Sequence, residues 1–230
     1  MKKNNILRFI VLLAVTLLPV IIFLYFKEHN NFSNSAAPKP IWPIGLAENG
    51  KDSIYYKIPD FEALNCDSTL IPTKSMDGNI SIVNLFFTQC PSICPIMNHQ
   101  LDRVYNGLAR NEKLKLFSYS IDEERDDLTA LKAYARKYDA DVTKWYFLRA
   151  PQDSVFNFGR NSLKLPVDEE DIDGNFLHSE RVVLVDWNRN IRGYYMGTDS
   201  LEMNKMMNHI VLLLSEKDLI DKKQKANYDK

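Results

Sequence analysis

ISIVNLFFTQCPSICPIM, residues 80–97, decides the fold. Residues 80–87 are an apolar run of β-branched and aromatic side chains with no breaker, the pattern of a buried strand. Thr88-Gln89 follows, then Cys90-Pro91-Ser92-Ile93-Cys94-Pro95. Met97, Leu101, Val104, Tyr105 and Leu108 then recur at spacings of three and four, as on one face of a helix. Two cysteines therefore sit where a central strand gives way to a helix. The free N–H groups and positive dipole end at such a junction favour thiolate, and Pro91 suits a first helical turn, where its missing donor costs little. If the turn is helical, a spacing of four puts Cys90 and Cys94 on one face. Their sulfurs can then close a disulfide or hold one soft metal ion together. Buried cysteines that merely pack are common, but two of them flanked by prolines at a strand–helix junction point to chemistry.

Downstream, KLFSYSI (115–121) alternates as a strand does. The acidic run from Asp122 to Asp127 starts a helix over 128–138, with Leu128, Leu131, Tyr134 and Ala135 on one side. Residues 145–148 form a short strand, 152–158 another helix and 166–175 an acidic loop. RVVLVDW (181–187) is a clear strand, turned by Asn188-Arg189-Asn190 into a hairpin partner over 191–196. Residues 201–214 close the domain as a helix, and 217–230 read as a charged, frayed tail. Upstream, 54–58 form a strand, 59–61 open an extended piece, and Asp77-Gly78-Asn79 is a turn. No repeat is present. Two β-α-β units followed by β-β-α predict an α/β fold, a mixed central sheet with flanking helices on the thioredoxin-like plan, and a redox Cys pair after the first central strand fits it.

At 230 residues the chain holds one good-sized domain plus an appendage. Lys+Arg 29 against Asp+Glu 30 gives a net charge of −1, so nothing suggests nucleic acid. The appendage is residues 1–29. Lys2, Lys3 and Arg8 precede an apolar run, 9–26, broken only by Thr16 and Pro19 and long enough with Ile6 and Leu7 to span a bilayer. Positive flanks stay inside, which predicts a single-pass anchor in membrane lipid, its N-terminus cytoplasmic and everything after residue 27 outside. A cleaved signal peptide is the alternative, since Ser35-Ala36-Ala37 is small enough to be cut; the long run and the distant cut favour the uncleaved anchor. Residues 30–44, polar and then proline-rich at Pro38, Pro40 and Pro43, are a spacer, and 45–216 are the domain. Outside the cytoplasm disulfides are permitted. Three cysteines leave one over: Cys90 and Cys94 are the natural pair, and Cys66 is a packed or loop thiol.

There are four histidines. His29 lies just past the apolar run, His209 within a helix where packing is its simplest role, and His99 five residues past Cys94, pointing away from it on a helix. His178 stands at the mouth of a strand, where the first and last central strands of this fold can bring it beside the cysteines; pattern alone leaves its role as a ligand open. Met97 and the cluster Met203, Met206, Met207 read as core. Glu169-x-Asp171-x-Asp173-Gly174 with Glu180 imitates a calcium loop, but its first position is Glu and a strand follows. Asp173-Gly174 is more simply a turn presenting His178.

FFTQCPSICP, SIDEERDDLTALKAYA and LHSERVVLVD, in this order and spacing within residues 55–215, resemble the SCO/SenC proteins. The resemblance implies a thioredoxin-like, membrane-anchored copper chaperone that helps assemble the copper A centre of cytochrome c oxidase, a metallochaperone more than an enzyme. It implies a copper ion held by Cys90, Cys94 and His178. The implied partners are the cytochrome c oxidase subunit carrying the copper A site and a copper donor protein, and the implied location is the cell inner membrane with the domain on the periplasmic side. Asp122 matches the first Asp of the family's D-P-E-R-D stretch; Glu123 replaces its Pro, and Ser92 stands where Asp is common after Cys-Pro. Both departures lie at the rim of the expected site. Two thiolates and an imidazole suit Cu(I), whereas a structural zinc site would usually show four ligands. Some relatives look more like thiol reductases, so the second expectation is a membrane-tethered thiol–disulfide oxidoreductase with Cys90 and Cys94 as its redox-active pair. C-x-x-x-C in place of C-x-x-C argues mildly against efficient exchange. A peroxidase, which needs one peroxidatic Cys beside Thr and Arg, ranks last.

Overall fold

The computed structural model describes residues 13, 15–21, 37–41, 43–46, 53–108, 111–166 and 179–228. In chain order the strands are β1 (Pro43–Leu46), β2 (Ser53–Tyr55), β3 (Glu62–Asn65), β4 (Leu70–Pro72), β5 (Ile80–Phe86), β6 (Leu114–Ser120), β7 (Trp145–Arg149), β8 (Arg181–Val185) and β9 (Ile191–Met196). The helices of the domain are α1 (Ile93–Leu108), α2 (Leu128–Arg136), α3 (Gln152–Asn157) and α4 (Ser200–Tyr228), with a π-helical turn, Phe158–Ser162, after α3.

All seven residues of β5 are buried, as a strand covered on both faces must be. It is the hub of a seven-stranded sheet ordered β4-β3-β7-β6-β5-β8-β9. β5, β6 and β7 are parallel, joined through α1 and α2, and β8 returns antiparallel beside β5 with Val83 opposite Val183. This is the mixed, helix-flanked sheet that the sequence predicts. β1 and β2 form a separate antiparallel pair.

α1 buries Cys94, Met97, Asn98, Leu101, Val104 and Tyr105, a stripe at helical spacing. Each large apolar side chain removed from water there contributes about 1.5–3 kcal/mol. Aromatic rings knit α1 and α2 to the sheet: Trp145 lies 5.4 Å from Tyr105 and 5.2 Å from Phe147, and Phe86 lies 5.2 Å from Tyr134. Elsewhere Phe158 of the π turn stacks on Phe61 at 4.4 Å and meets Tyr119 at 5.1 Å.

The last helix departs from expectation. It runs past residue 214 to Tyr228, where a frayed tail was expected over 217–230. The apolar contacts of Met203, Met206, Ile210 and Leu213 continue through partly buried Ile220. Lys113 then reaches across from the start of β6 to Asp218 at 2.8 Å and Asp221 at 3.1 Å, fastening the extra turns.

The chain divides into two units, residues 1–36 and 37–230. In the first, Leu13 and residues 15–21 are helical and exposed. Among the described residues no helix is long and apolar enough to cross a membrane; the rest of the expected anchor, and His29, lie outside them.

Candidate functional site

The chain leaves β5 at Phe86 and turns so that the Cys90 N–H donates to the Phe87 carbonyl at 3.3 Å. Three residues later α1 begins, and the Cys94 N–H donates to Cys90 Sγ at 3.3 Å. Cys90 thus accepts one of the amide donors that the start of a helix leaves without an intrahelical partner. Both side chains are thiols, Cys90 8 % and Cys94 0 % exposed, so the pair meets solvent only through Cys90. The sequence reading pairs the two sulfurs, and the structure sets the Cys94 amide on the Cys90 sulfur. The corollary of that reading, a thiolate favoured by the helix terminus, fails for Cys94. The hydrogen bond with the Cys90 thiol raises the Cys94 pKa far above the ordinary range, and burial adds to it. A soft cation taken up by both sulfurs must displace that proton.

The acidic run after β6 splits its labour. Asp127 caps α2, accepting from the Ala130 N–H at 2.7 Å. Asp126 instead turns inward, 0 % exposed, and binds the cysteine loop: it accepts from the Thr88 N–H at 3.0 Å and from the Thr88 and Ser120 hydroxyls. Burial, the largest influence on it, raises its pKa above the usual carboxylate range. Asp122, also buried, takes the Arg125 backbone N–H at 3.1 Å and the Arg125 guanidinium, whose face lies 6.0 Å from the Phe87 ring. Glu123 fastens this loop to its neighbour. Its carboxylate accepts from the Gln152 N–H at 2.8 Å and its carbonyl from Arg149 at 3.0 Å. Reading the whole acidic run as a helix start missed the Thr88–Asp126–Ser120 link. The one available signal was a second Asp four residues after Asp122, a spacing that closes one turn, seen in the Asp126 N–H to Asp122 carbonyl bond at 3.1 Å.

The start of β8 reaches the same end of the sheet. Gly197 follows β9, and its N–H donates to the Glu180 carbonyl at 2.8 Å. A Cβ on Gly197 would stand 2.6 Å from Met97 Cγ and 3.0 Å from the Glu180 carbonyl oxygen. Gly197 thus brings the Glu180 carbonyl near Met97, three residues past Cys94 on α1. His178, two residues before Glu180, lies outside the described residues, as does the loop that imitates a calcium site. Among the described residues no three His, Cys, Asp or Glu side chains gather as a metal-binding set.

The other candidates fall as expected. His99 is exposed. His209 packs on β9 with its Nδ1 2.6 Å from the Tyr195 hydroxyl. Met97, Met203 and Met206 are core side chains, 0 % exposed. Cys66 is a buried thiol just after β3; its N–H donates to the Phe147 carbonyl at 3.0 Å, and burial raises its pKa.

Comparison with known proteins agrees with this architecture. The family model described as SCO1/SenC matches residues 51–214. The SCO1 protein homolog of Bacillus subtilis (strain 168) is 25% identical over 162 residues, covering 70% of this chain and 84% of that protein. BsSco, a member of the Sco family of cytochrome c oxidase assembly proteins in which a disulfide switch has been identified, superposes with a TM-score of 0.63 at 20% identity, covering 78% of this chain and 98% of its own. ScoI of Arabidopsis thaliana, solved with copper bound, gives 0.57 at 19% identity, covering 67% and 98%. With the family model matched across the whole sheet, this chain belongs to the SCO1/SenC family.

Proposed function

We propose that this protein is a copper carrier in which Cys90 and Cys94, as thiolates, and His178 hold one Cu(I) ion that is passed to the copper A site of a cytochrome c oxidase subunit. One observation carries the reading: the sulfur pair after β5 and the Glu180 carbonyl, near Met97 of α1, share one end of the sheet. His178 is two residues before Glu180 in the sequence. Two soft sulfurs and one imidazole suit Cu(I), which accepts low coordination numbers. Three protein ligands, one of them outside the helix that holds the cysteines, suit a cargo that must leave again. Copper-bound ScoI and the oxidase-assembly role of the family to which BsSco belongs support copper as the cargo and an oxidase subunit as the client. A copper donor protein supplies the ion. The apolar run 9–26, with Lys2, Lys3 and Arg8 before it, anchors the chain in the cell inner membrane and leaves the domain in the periplasm.

A second reading has its own support. The Cys94 N–H already bonds the Cys90 sulfur, and both residues are thiols, so the pair is also placed for thiol–disulfide exchange. His178 separates the two readings. Losing an outer partner of a metal ligand costs roughly 10–100-fold in affinity, and losing a ligand should cost no less. Titrating the reduced, detergent-solubilised chain with Cu(I) against a chromophoric competitor should give about one equivalent bound. Cys90→Ser or Cys94→Ser should abolish tight binding, and His178→Ala should weaken it at least ~10-fold. Unchanged affinity in His178→Ala would remove the carrier reading and leave the tethered dithiol.

A further inference from the structure

We propose that the last two turns of α4, bearing Lys222, Lys223 and Lys225, are a docking face for the anionic surface of the bilayer, so that the cysteine pair is presented away from the membrane. The inference rests on the anchor described under the proposed function and adds to it an orientation for the domain.

α4 leaves the domain at the end of the sheet opposite the cysteines. Ile80, at the start of β5, pairs with Leu114 of β6, and beside them Lys113 holds Asp218 and Asp221. At the same end Arg192, near the start of β9, holds Glu216 at 2.8 Å. The seven residues of β5 separate this end from the cysteine loop by roughly 23 Å. Past Asp221 the helix continues to Tyr228, about 10 Å further.

The charge on that overhang has one sign. Each acidic residue over 216–221 already has a cation: Glu216 has Arg192, Asp218 has Lys113, and Asp221 has Lys113 and Lys217. Lys222, Lys223 and Lys225 are exposed and have no acidic partner among the described residues. Leu219, 60% exposed, shares a helix face with Lys222 and Lys223 by its spacing of three and four, so an apolar side chain and cations point the same way. Lysines next to an anionic leaflet are attracted to it.

The incoming chain arrives at the same place. The Pro38 carbonyl accepts from Arg192, and the Ile41 N–H donates to the Ile191 carbonyl at 2.9 Å. Pro40 joins Trp187, Glu216, Lys217, Ile220 and Gln224 around a polar cavity of about 560 Å³. Eleven residues, 27–37, separate the apolar run from this docked segment and can extend no more than about 40 Å. An anchored chain therefore cannot carry this docked segment more than about 40 Å from the end of the apolar run. Near an anionic surface each lysine contributes about fivefold to binding. Lysines in a last helical turn also complement the helix dipole, but that effect is indifferent to the lipid, which is why comparing lipids is decisive.

The full chain, reconstituted into vesicles of phosphatidylcholine alone or with added phosphatidylglycerol, tests this by amide hydrogen exchange. Flotation after a high-salt wash reads the anchor separately. Exchange over residues 216–228 should slow at least about threefold in the anionic vesicles. The slowing should disappear in 0.5 M salt, as screening requires, and in the K222E/K223E/K225E variant, whose exchange across the sheet should match the parent's. Vesicle-bound protein with equal exchange in both lipids would overturn the docking and leave the anchor standing. Protein that fails to float with either vesicle would overturn the anchor, and the docking with it.

Discussion

Asp126 is a buried carboxyl group that receives three donors and no cation among the described residues. Its acceptors fix Thr88, two residues before Cys90, so it shapes the cysteine loop without belonging to it. Asp126→Ala strands the Thr88 N–H and two hydroxyls in the interior and should cost about 2–3 kcal/mol in urea unfolding. Asp126→Asn keeps an acceptor for Thr88 and a donor for Ser120, and should cost less. The two also differ in pH response. Burial raises the folded-state pKa, so the folded chain binds this proton more tightly than the unfolded one. The stabilisation is complete below the ordinary carboxylate range and is lost as pH rises through the folded value. The parent should therefore lose stability relative to Asp126→Asn as pH rises above the ordinary carboxylate range; a parallel pair of pH profiles would contradict it. None of this was legible in the sequence, because six acidic and basic residues in a row present one composition and hide which of them turns inward. Asp127, the next residue, was legible: a capping Asp before an apolar stripe is a local signal, and Asp127→Ala should cost about 1 kcal/mol.

At the scale of elements, the end of β9, the start of β8 and Met97 of α1 meet closely at Gly197. A methyl group there would come within 2.6 Å of Met97 Cγ, 2.9 Å of Val182 Cγ2 and 3.0 Å of the Glu180 carbonyl. Met97 has some freedom to move, but a carbonyl in a strand pair and a β-branched side chain have little. Gly197→Ala should cost about 1–3 kcal/mol by overpacking. It should also weaken the proposed copper binding more than a substitution of equal cost at the far end of the sheet, because the strain falls on Met97, three residues after Cys94. Urea midpoints and copper affinity measured together check this; equal affinity at reduced stability would show that the junction only packs. The elements themselves were plain in the sequence wherever burial sets the pattern. β5 is apolar on both faces because both are covered, and β8 and β9 announce themselves by a turn between apolar runs. The later turns of the last helix hide in the sequence because they are mostly charged, with Ile220 continuing the apolar stripe onto the core. They are held by long-range ion pairs, Lys113 to Asp218 and Asp221 across more than a hundred residues, and no local periodicity reports such pairs. The ionisation of Cys94 escaped for a related reason, since the helix terminus is visible in the sequence while the burial and the neighbouring sulfur that outweigh it are products of the fold.

The central sheet has two ends, and Arg192 organises the one away from the cysteines. Its guanidinium is nearly buried, holds Asp186 at 2.9 Å and Glu216 at 2.8 Å, donates to the Pro38 carbonyl, and lies 5.6 Å from the Trp187 ring. One side chain thus ties β9, α4 and the incoming segment together. Arg192→Met keeps much of the volume but strips the cation from Asp186, which is 1 % exposed. Removing one partner of a buried pair costs about 3–5 kcal/mol, because the remaining charge stays buried alone. Arg192→Lys should lose less, since it retains the charge and gives up the planar fork that serves several acceptors at once. Hydrogen exchange should localise the damage in Arg192→Met, with faster exchange over residues 212–228 and 38–41. Copper should still bind at about one equivalent under conditions where the variant remains folded, because both sulfurs and the start of β8 lie across the sheet. Loss of the proposed copper binding from folded Arg192→Met would mean that the two ends of the sheet are coupled through the β5–β8 pair.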